Sequence, residues 1–559
     1  MLENPDNLAQ NRNRAIGHVV YCDGTNARIK TIAGATNESE DYWNIGQLFS
    51  ICVGDNRVIG LLHQVEAETG CWDPSGNNPI VLNLELTGEI RSNGSDGYYF
   101  SSGVTTYPFL GAQVHRIRKD DLKTIYASSD PSAVTIGHLS QSKDVPAVVS
   151  VDALLSRHFA VVGTTGTGKS TSVTLLLHLI ARKKPDQRIL ILDPHNEYAS
   201  AFGDKAHTIT AETLDLPFWM LTLEEVLQVL FRGSDPISEE VDLLRDFIPR
   251  AKHFYQSGGQ GGLRRSMNGD SITTDAPFPY RINDLLDLIE EDIGSLDAAD
   301  RRMTLRRLKF RIEAARSDPR FGFLFGSHDA TDRMSDVLGN IFRVPINDRP
   351  ITVFQLSGIP SEVVNSVASV LCRLAFNLAV ASKSAIKTLV VCEEAHRYIP
   401  ADRSAGFAPT RFEIAKIAKE GRKYGVSLAV VTQRPNELDP TILSQCNTIF
   451  SLRLGNDLDQ EVMRKAISNS SRSSLAFLSS LADRECIAFG SAVPTPMRMT
   501  FRTLKRSAQP ASRHTTENTN RPADLSSVVA SMRFADADSD DIRPDPDPVS
   551  TIRQRRLAS

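Results

Sequence analysis

The residues best equipped for chemistry are Gly163-Thr164-Thr165-Gly166-Thr167-Gly168-Lys169-Ser170, which fit the spacing G-x-x-x-x-G-K-[ST]. Glycines at these positions let the backbone curl so that several N–H groups converge on one anionic group. An apolar strand, His158–Val162, precedes the run and a helix, Thr171–Ile180, follows, so the helix N-terminus adds a favourable dipole. Lys169 is suited to neutralise β- and γ-phosphate oxygens. The Ser170 hydroxyl is suited to ligate Mg²⁺. Thr171 completes the set of nucleotide-binding candidates. A Gly/Thr turn with an exposed lysine shares the composition but not the flanking strand and helix.

A second constellation is Leu389-Val390-Val391-Cys392-Glu393-Glu394-Ala395-His396, an apolar strand ending in two adjacent carboxylates. Successive side chains at a strand end point in different directions. We assign Glu393 to the Mg²⁺ side and Glu394 to activation of the attacking water. Two charged residues capping a strand are the bland alternative, weakened by the phosphate-loop pattern in the same chain. Asp193 closes another apolar strand, RILILD, and is expected near the same sheet edge as a supporting residue. A third cluster is Gly421-Arg422-Lys423-Tyr424-Gly425, then VSLAVVT, then Gln433-Arg434-Pro435. A glutamine at the end of a core strand is placed to sense the γ-phosphate. Arg422 and Arg434 are candidates to reach a neighbouring subunit's nucleotide; spacing does not choose between them, and solvated or ion-paired arginines are the common case.

The elements that must hold these residues are legible in outline. Residues 1–150 read as β-rich: AIGHVVYC (Ala15–Cys22) is apolar and β-branched, and Leu82, Leu84 and Leu86 alternate with polar residues. Gly54–Asn56 is a turn signal. A small barrel or a sandwich would satisfy this pattern. Residues 151–505 carry runs apolar on both faces: HFAVVG, RILILD, ITVFQL, TLVVCE and VSLAVVT. Such runs suit a parallel sheet covered by helices. The expected fold is therefore α/β, a P-loop core on a parallel sheet behind an N-terminal small β-barrel or sandwich. Apolar residues at helical spacing over about 221–345 indicate a helical insertion. Within it Ser257–Asp270 is a Gly-rich loop containing Arg264 and Arg265. Residues 506–559 read as an irregular tail with one short helix, Ala523–Phe534, and an acidic run at Asp536, Asp538, Asp540 and Asp541.

Composition narrows the class. The chain has 559 residues, 63 Lys plus Arg against 67 Asp plus Glu, and a net charge of -4, so any nucleic-acid contact must come from a local surface. The seven cysteines are scattered without a CxxC pair, which predicts reduced thiols in a cytoplasmic protein and no zinc site. The polar start, MLENPDNLAQNRNR, has no signal-peptide core. No run reads as the roughly 20 apolar residues that cross a bilayer, so no membrane partner is expected.

Taken together, VVGTTGTGKS (Val161–Ser170), LDPHNEY (Leu192–Tyr198), VVCEEAHRYIP (Val390–Pro400), IAKEGRKYGVSLAVVTQRP (Ile417–Pro435) and LDPTILSQCNT (Leu438–Thr448) resemble the HerA family of hexameric DNA translocases, relatives of FtsK and of conjugation ATPases. The resemblance covers the core closely and the β-rich segment loosely, and it implies a RecA-like core with an N-terminal small β-barrel. It implies a homohexameric ring around double-stranded DNA, with ATP sites between subunits. It implies that Lys169, Glu394 and Gln433 share the nucleotide site, that Arg422 acts in trans, and that Arg157 matches a family arginine near the site. Glu393 stands where many relatives have aspartate. The family also implies an effector on the barrel side, a NurA-type nuclease or, in antiviral defence, a sirtuin-like or nuclease effector. The residues favour an ATP-driven DNA translocase or helicase. An ATP-dependent scaffold for a partner is the second reading, and a metabolic P-loop kinase is disfavoured by the long insertion and by Gln433. Arg264 and Arg265, and a loop around Arg403–Arg411, are the candidate DNA contacts.

Overall fold

The computed structural model describes residues 15–511, apart from 34–42, 69–71, 74–77, 94–96, 129, 211–212, 232–235, 259–271, 296–299, 326–330, 358, 360, 403–406, 468–474 and 476. Arg264, Arg265, Arg403, Cys71, Ala523–Phe534 and the acidic run lie outside the described residues. The chain divides into two compact units, one formed by residues up to Leu214 with Arg333–Ala511, the other built on Asp215–Asp332.

The first sheet contains β1 (Ala15–Cys22), β2 (Asn26–Ala33), β3 (Leu48–Val53), β4 (Asn56–Ala67), β5 (Asn78–Ser92), β6 (Tyr98–Ser102) and β7 (Gln113–Arg116), in the order β2-β1-β7-β3-β4-β5-β6. β2 also pairs with β5 from Asn26↔Glu85 to Ala33↔Asn78, which closes six strands into a barrel and leaves β6 as a flap on β5. Closure, rather than a sandwich, removes the sheet edges. The alternation in β5 turns Leu82 and Leu84 inward with Ile29, Ile51 and Val58, all fully buried. Gly54, at φ 61°, makes the tight turn between β3 and β4.

The second sheet contains β8 (Ala133–Leu139), β9 (Ser142–Ser150), β10 (His158–Val162), β11 (Arg188–Asp193), β12 (Ala206–Ile209), β13 (Ile351–Gln355), β14 (Thr388–Cys392), β15 (Val426–Thr432), β16 (Cys446–Ser451), β17 (Glu485–Gly490) and β18 (Met497–Phe501). Its order is β12-β13-β11-β14-β15-β10-β16-β17-β18-β8-β9. The strands from β12 to β16 are parallel, and the remaining four continue the sheet antiparallel. This α/β core behind a β-barrel is the expected fold class. One boundary differs: β8 and β9, assigned by sequence to the barrel within 1–150, pair with β18 in this sheet (Met499↔Leu139). A period-2 pattern says that a strand has a buried face, not which sheet accepts it.

The expectation that no apolar run is long enough to cross a membrane is also corrected. Val363–Ala381 has that length and composition, and 78 % of it is buried. It is mostly apolar because it packs against helix Ala408–Tyr424 and the sheet, with Asn365, Arg373 and Asn377 among its few polar positions. Within Asp215–Asp332, helices Leu223–Phe231, Ser238–Gln256, Ile282–Gly294 and Arg302–Arg316 bury Leu244, Phe247, Ile289, Leu305 and Leu308. Helix Met334–Phe342, inside the expected 221–345 insertion, falls in the other unit.

Candidate functional site

Parallel register aligns the carboxyl ends of four strands. Val162 pairs with Thr432, Cys392 with Val430, and Leu192 with Cys392. Residues just beyond these pairs, Gly163, Gln433, Glu393, Glu394 and Asp193, therefore emerge along one edge, where open α/β sheets bind ligands. β15 lies between the phosphate-loop strand β10 and the acidic strand β14. Gln433 is thus interposed between the loop and the carboxylates.

The loop itself has Gly166 at φ 82° and Gly168 at φ 91°, conformations that favour glycine. Thr164 N donates to the Arg453 carbonyl (3.1 Å) and Gly163 N to that of Thr432 (3.3 Å). These bonds pin the loop to β15 and to the chain after β16. Helix Lys169–Lys183 follows, and its Ser172 N donates to the Gly168 carbonyl (2.9 Å). The amides of Lys169, Ser170 and Thr171, ahead of that first helical bond, are the open donors of a helix N-terminus, the group that an anion requires.

Lys169 is 5 % exposed, with Nζ 3.5 Å from Glu393 Oε1 and 3.4 Å from Glu394 Oε1. The Tyr198 hydroxyl donates to Glu393 Oε2 (2.7 Å). Burial pushes the Glu393 carboxyl up to about 7, against the pull of Lys169 and the Tyr198 hydroxyl. Glu394 has φ 50° and ψ 50°, a left-handed conformation costing on the order of 1 kcal/mol for a side chain of this kind. Its Oε1 accepts a hydrogen bond from Gln433 Nε2, and the Gln433 carbonyl oxygen accepts one from the Thr165 hydroxyl. Loop, glutamine and acid therefore form one chain of contacts. Glu394 Oε2 is buried without a hydrogen-bond partner among the described residues, and His396 Nδ1 approaches it at 3.5 Å. Burial holds His396 below the usual histidine range while Glu394 opposes this, and its Nδ1 is 3.1 Å from the Thr432 hydroxyl.

Asp193 is fully buried and accepts from the amides of His195 (3.3 Å) and Tyr198 (2.9 Å). It shapes the turn that presents Tyr198 to Glu393, a supporting position. Burial raises its carboxyl, and those amides oppose the rise. Arg157 is half-buried immediately before β10. Arg422 is exposed in the last turn of Ala408–Tyr424, whereas Arg434 is paired with Glu437 at 2.8 Å. Among the sequence candidates, the structure brings together the loop, Glu393, Glu394 and Gln433. It leaves Arg422 and Arg434 outside that contact chain. Tyr198, His396 and Thr432 were not singled out by sequence; LDPHNEY and EEAH contain two of them, but only folding shows which polar residue faces the acids.

The site fits a nucleotide carrying Mg²⁺. The orphaned Glu394 oxygen and the unpaired helix amides are an acceptor and donors awaiting a ligand. No group of three His, Cys, Asp or Glu among the described residues forms a ready metal site. Mg²⁺ commonly takes one or two protein ligands and completes its shell with phosphate oxygens and water, and Ser170 and Glu393 would be those ligands here.

The chain is similar to known proteins over much of its length. The family described as "Helicase HerA, central domain" matches residues 134–375. The chain is 26 % identical over 466 residues to the DNA double-strand break repair helicase HerA of Pyrococcus furiosus, covering 75 % of this chain and 77 % of that one. It is 26 % identical over 391 residues to the protein of the same name from Saccharolobus solfataricus, covering 70 % and 72 %. Among solved structures, VirB4 of Thermoanaerobacter pseudethanolicus aligns with TM-score 0.48 and 16 % identity, over 68 % of this chain and 98 % of that one. With part of its core matched by the HerA central domain and its phosphate loop facing two acids across a glutamine, this chain is a P-loop ATPase similar to the HerA helicases.

Proposed function

We propose that this protein is a cytoplasmic ring motor that hydrolyses ATP to move along, or unwind, double-stranded DNA. The observation that carries the reading is the contact of Lys169 and Gln433 with one Glu394 oxygen at the carboxyl edge of a parallel sheet. The relatives described as DNA double-strand break repair helicases support DNA as the track.

In this reading the amides of Thr165, Gly166 and Gly168–Thr171, together with the Lys169 ammonium, hold the triphosphate. Ser170 and Glu393 hold Mg²⁺, which supplies charge against the β- and γ-oxygens. Glu394 accepts a proton from the attacking water, and Gln433 fixes the carboxylate's direction. Arg422 of a neighbouring copy in a homohexamer stabilises the transferring phosphoryl group; its exposure at a helix end, with no ion pair among the described residues where Arg434 has one to Glu437, supports it over Arg434. Arg264 and Arg265 are the proposed DNA contacts. The barrel is the proposed dock for a NurA-type nuclease or a sirtuin-like effector, in end processing or defence. Exposed Trp72, Tyr98, Phe109 and Leu110 on that domain support a protein-binding role.

The test is the ATPase rate with and without linear double-stranded DNA, using Lys169→Ala and Glu394→Gln as controls. Stimulation by DNA that both substitutions abolish is the expected result. A rate indifferent to DNA would replace the motor by a scaffold whose assembly ATP controls.

A further inference from the structure

We propose that Arg484 is a nucleotide-contacting residue supplied within the same chain, its guanidinium taking the α-phosphate oxygens of the nucleotide. The proposal rests on the ATP-binding reading of the phosphate loop and extends it to a residue that no sequence motif singles out.

Arg484 lies directly against the loop. Its backbone N donates to the Thr167 carbonyl (2.9 Å), and a Cβ placed on Gly168 would meet Arg484 Cγ at 2.8 Å. Gly168 is therefore glycine for two reasons, its φ of 91° and the arginine stem beside it. Arg484 itself has φ 62°, a conformation that costs a non-glycine residue on the order of 1 kcal/mol. The conformation is held from both sides. Phe501 N donates to the Arg484 carbonyl (3.0 Å), and the preceding Asp483 pairs with Arg453 (3.0 Å). The Arg453 carbonyl in turn accepts from both the amide (3.1 Å) and the hydroxyl (3.2 Å) of Thr164. The segments after β16 and before β17 thus clasp the loop at Thr164 and at Thr167–Gly168.

The guanidinium has capacity to spare. It donates to the Thr503 hydroxyl, a neutral acceptor, and has no ion pair among the described residues. A guanidinium carries five N–H donors in a fork that matches anionic oxygens. Sheet order gives the direction. β14, with Glu393 and Glu394, lies on one side of β10 beyond β15; β17, which Arg484 precedes, lies on the other side beyond β16. A triphosphate whose γ end meets Glu394 and Gln433 must leave its α end on the far side of the loop, where Arg484 stands.

Direct binding of fluorescent ATP and ADP analogues to the full chain, with no turnover required, provides the test. Arg484→Met keeps the stem against Gly168 and removes the fork; Arg484→Lys keeps the charge. The Met variant should lose about tenfold or more in affinity, equally for ATP and ADP, with its melting temperature unchanged, while the Lys variant retains most of the affinity. Wild-type affinity in the Met variant, or a loss confined to ATP, overturns the assignment. Failure of the unaltered chain to bind either nucleotide would instead overturn the site reading, and this assignment with it.

Discussion

Gln433 donates its side-chain amide to the same Glu394 oxygen that Lys169 Nζ approaches at 3.4 Å. A residue at the end of one strand thereby steers the carboxylate at the end of its neighbour, and through its carbonyl oxygen it also receives the Thr165 hydroxyl of the loop. Gln433→Ala should lower kcat by about tenfold to a hundredfold and change nucleotide affinity by no more than about threefold. Steady-state rates and binding titrations decide this; an affinity loss at unchanged kcat would mean that Gln433 serves binding alone.

Tyr198 and Glu393 are both buried, and the hydroxyl lies 2.7 Å from the carboxylate. Tyr198→Phe leaves a buried acceptor without its donor, at a cost of about 1–3 kcal/mol. Chemical denaturation should show that loss, accompanied by a severalfold drop in ATPase rate. An unfolding free energy equal to that of the wild type would show that the bond is not structurally required.

Arg422 can be tested by mixing. Lys169→Ala and Arg422→Ala proteins should each be nearly inactive. When they are mixed and allowed to exchange subunits, sites that combine an intact Lys169 with a neighbour's intact Arg422 should recover activity in proportion to mixing. Mixtures no more active than the separate variants would falsify the trans assignment.

Lys252, 1 % exposed in helix Ser238–Gln256, donates to the carbonyls of Thr273 (3.3 Å), Thr274 (2.6 Å) and Ala276 (2.6 Å). Burial lowers its amine to about 8. The folded form then releases its proton before the unfolded chain does, so the cost of burying the charge is full below about 8 and is relieved as pH rises towards the ordinary lysine value of 10.5. Relative to Lys252→Met, the wild type should gain stability between pH 7.5 and 9.5, by on the order of 2 kcal/mol at most. Melting temperatures of both proteins at the two pH values measure the gap. A gap moving the other way would mean that the three carbonyl bonds outweigh desolvation.

The sequence by itself determined the loop Gly163–Ser170, the apolar strands on either side of it and the acids at the end of TLVVCEE, because these depend on local spacing and on periodicity. It also indicated a β-rich N-terminal segment and a helical insertion, since period 2 and period 3.6 are visible one segment at a time. Tertiary structure decided what depends on pairing between distant segments. β8 and β9 carry the same alternation as barrel strands yet join the core sheet, and Val363–Ala381 is long and largely apolar because neighbours bury most of it. The order β14-β15-β10-β16-β17 puts Gln433 between loop and acid and brings Arg484 against Gly168, although 316 residues separate that pair in the chain. Tyr198 meets Glu393 by the same means, through the pairing of β11 with β14. Side-chain period tells which residues a strand will bury; it carries no information about which strand lies next to it, and the chemistry of this site is made between neighbouring strands.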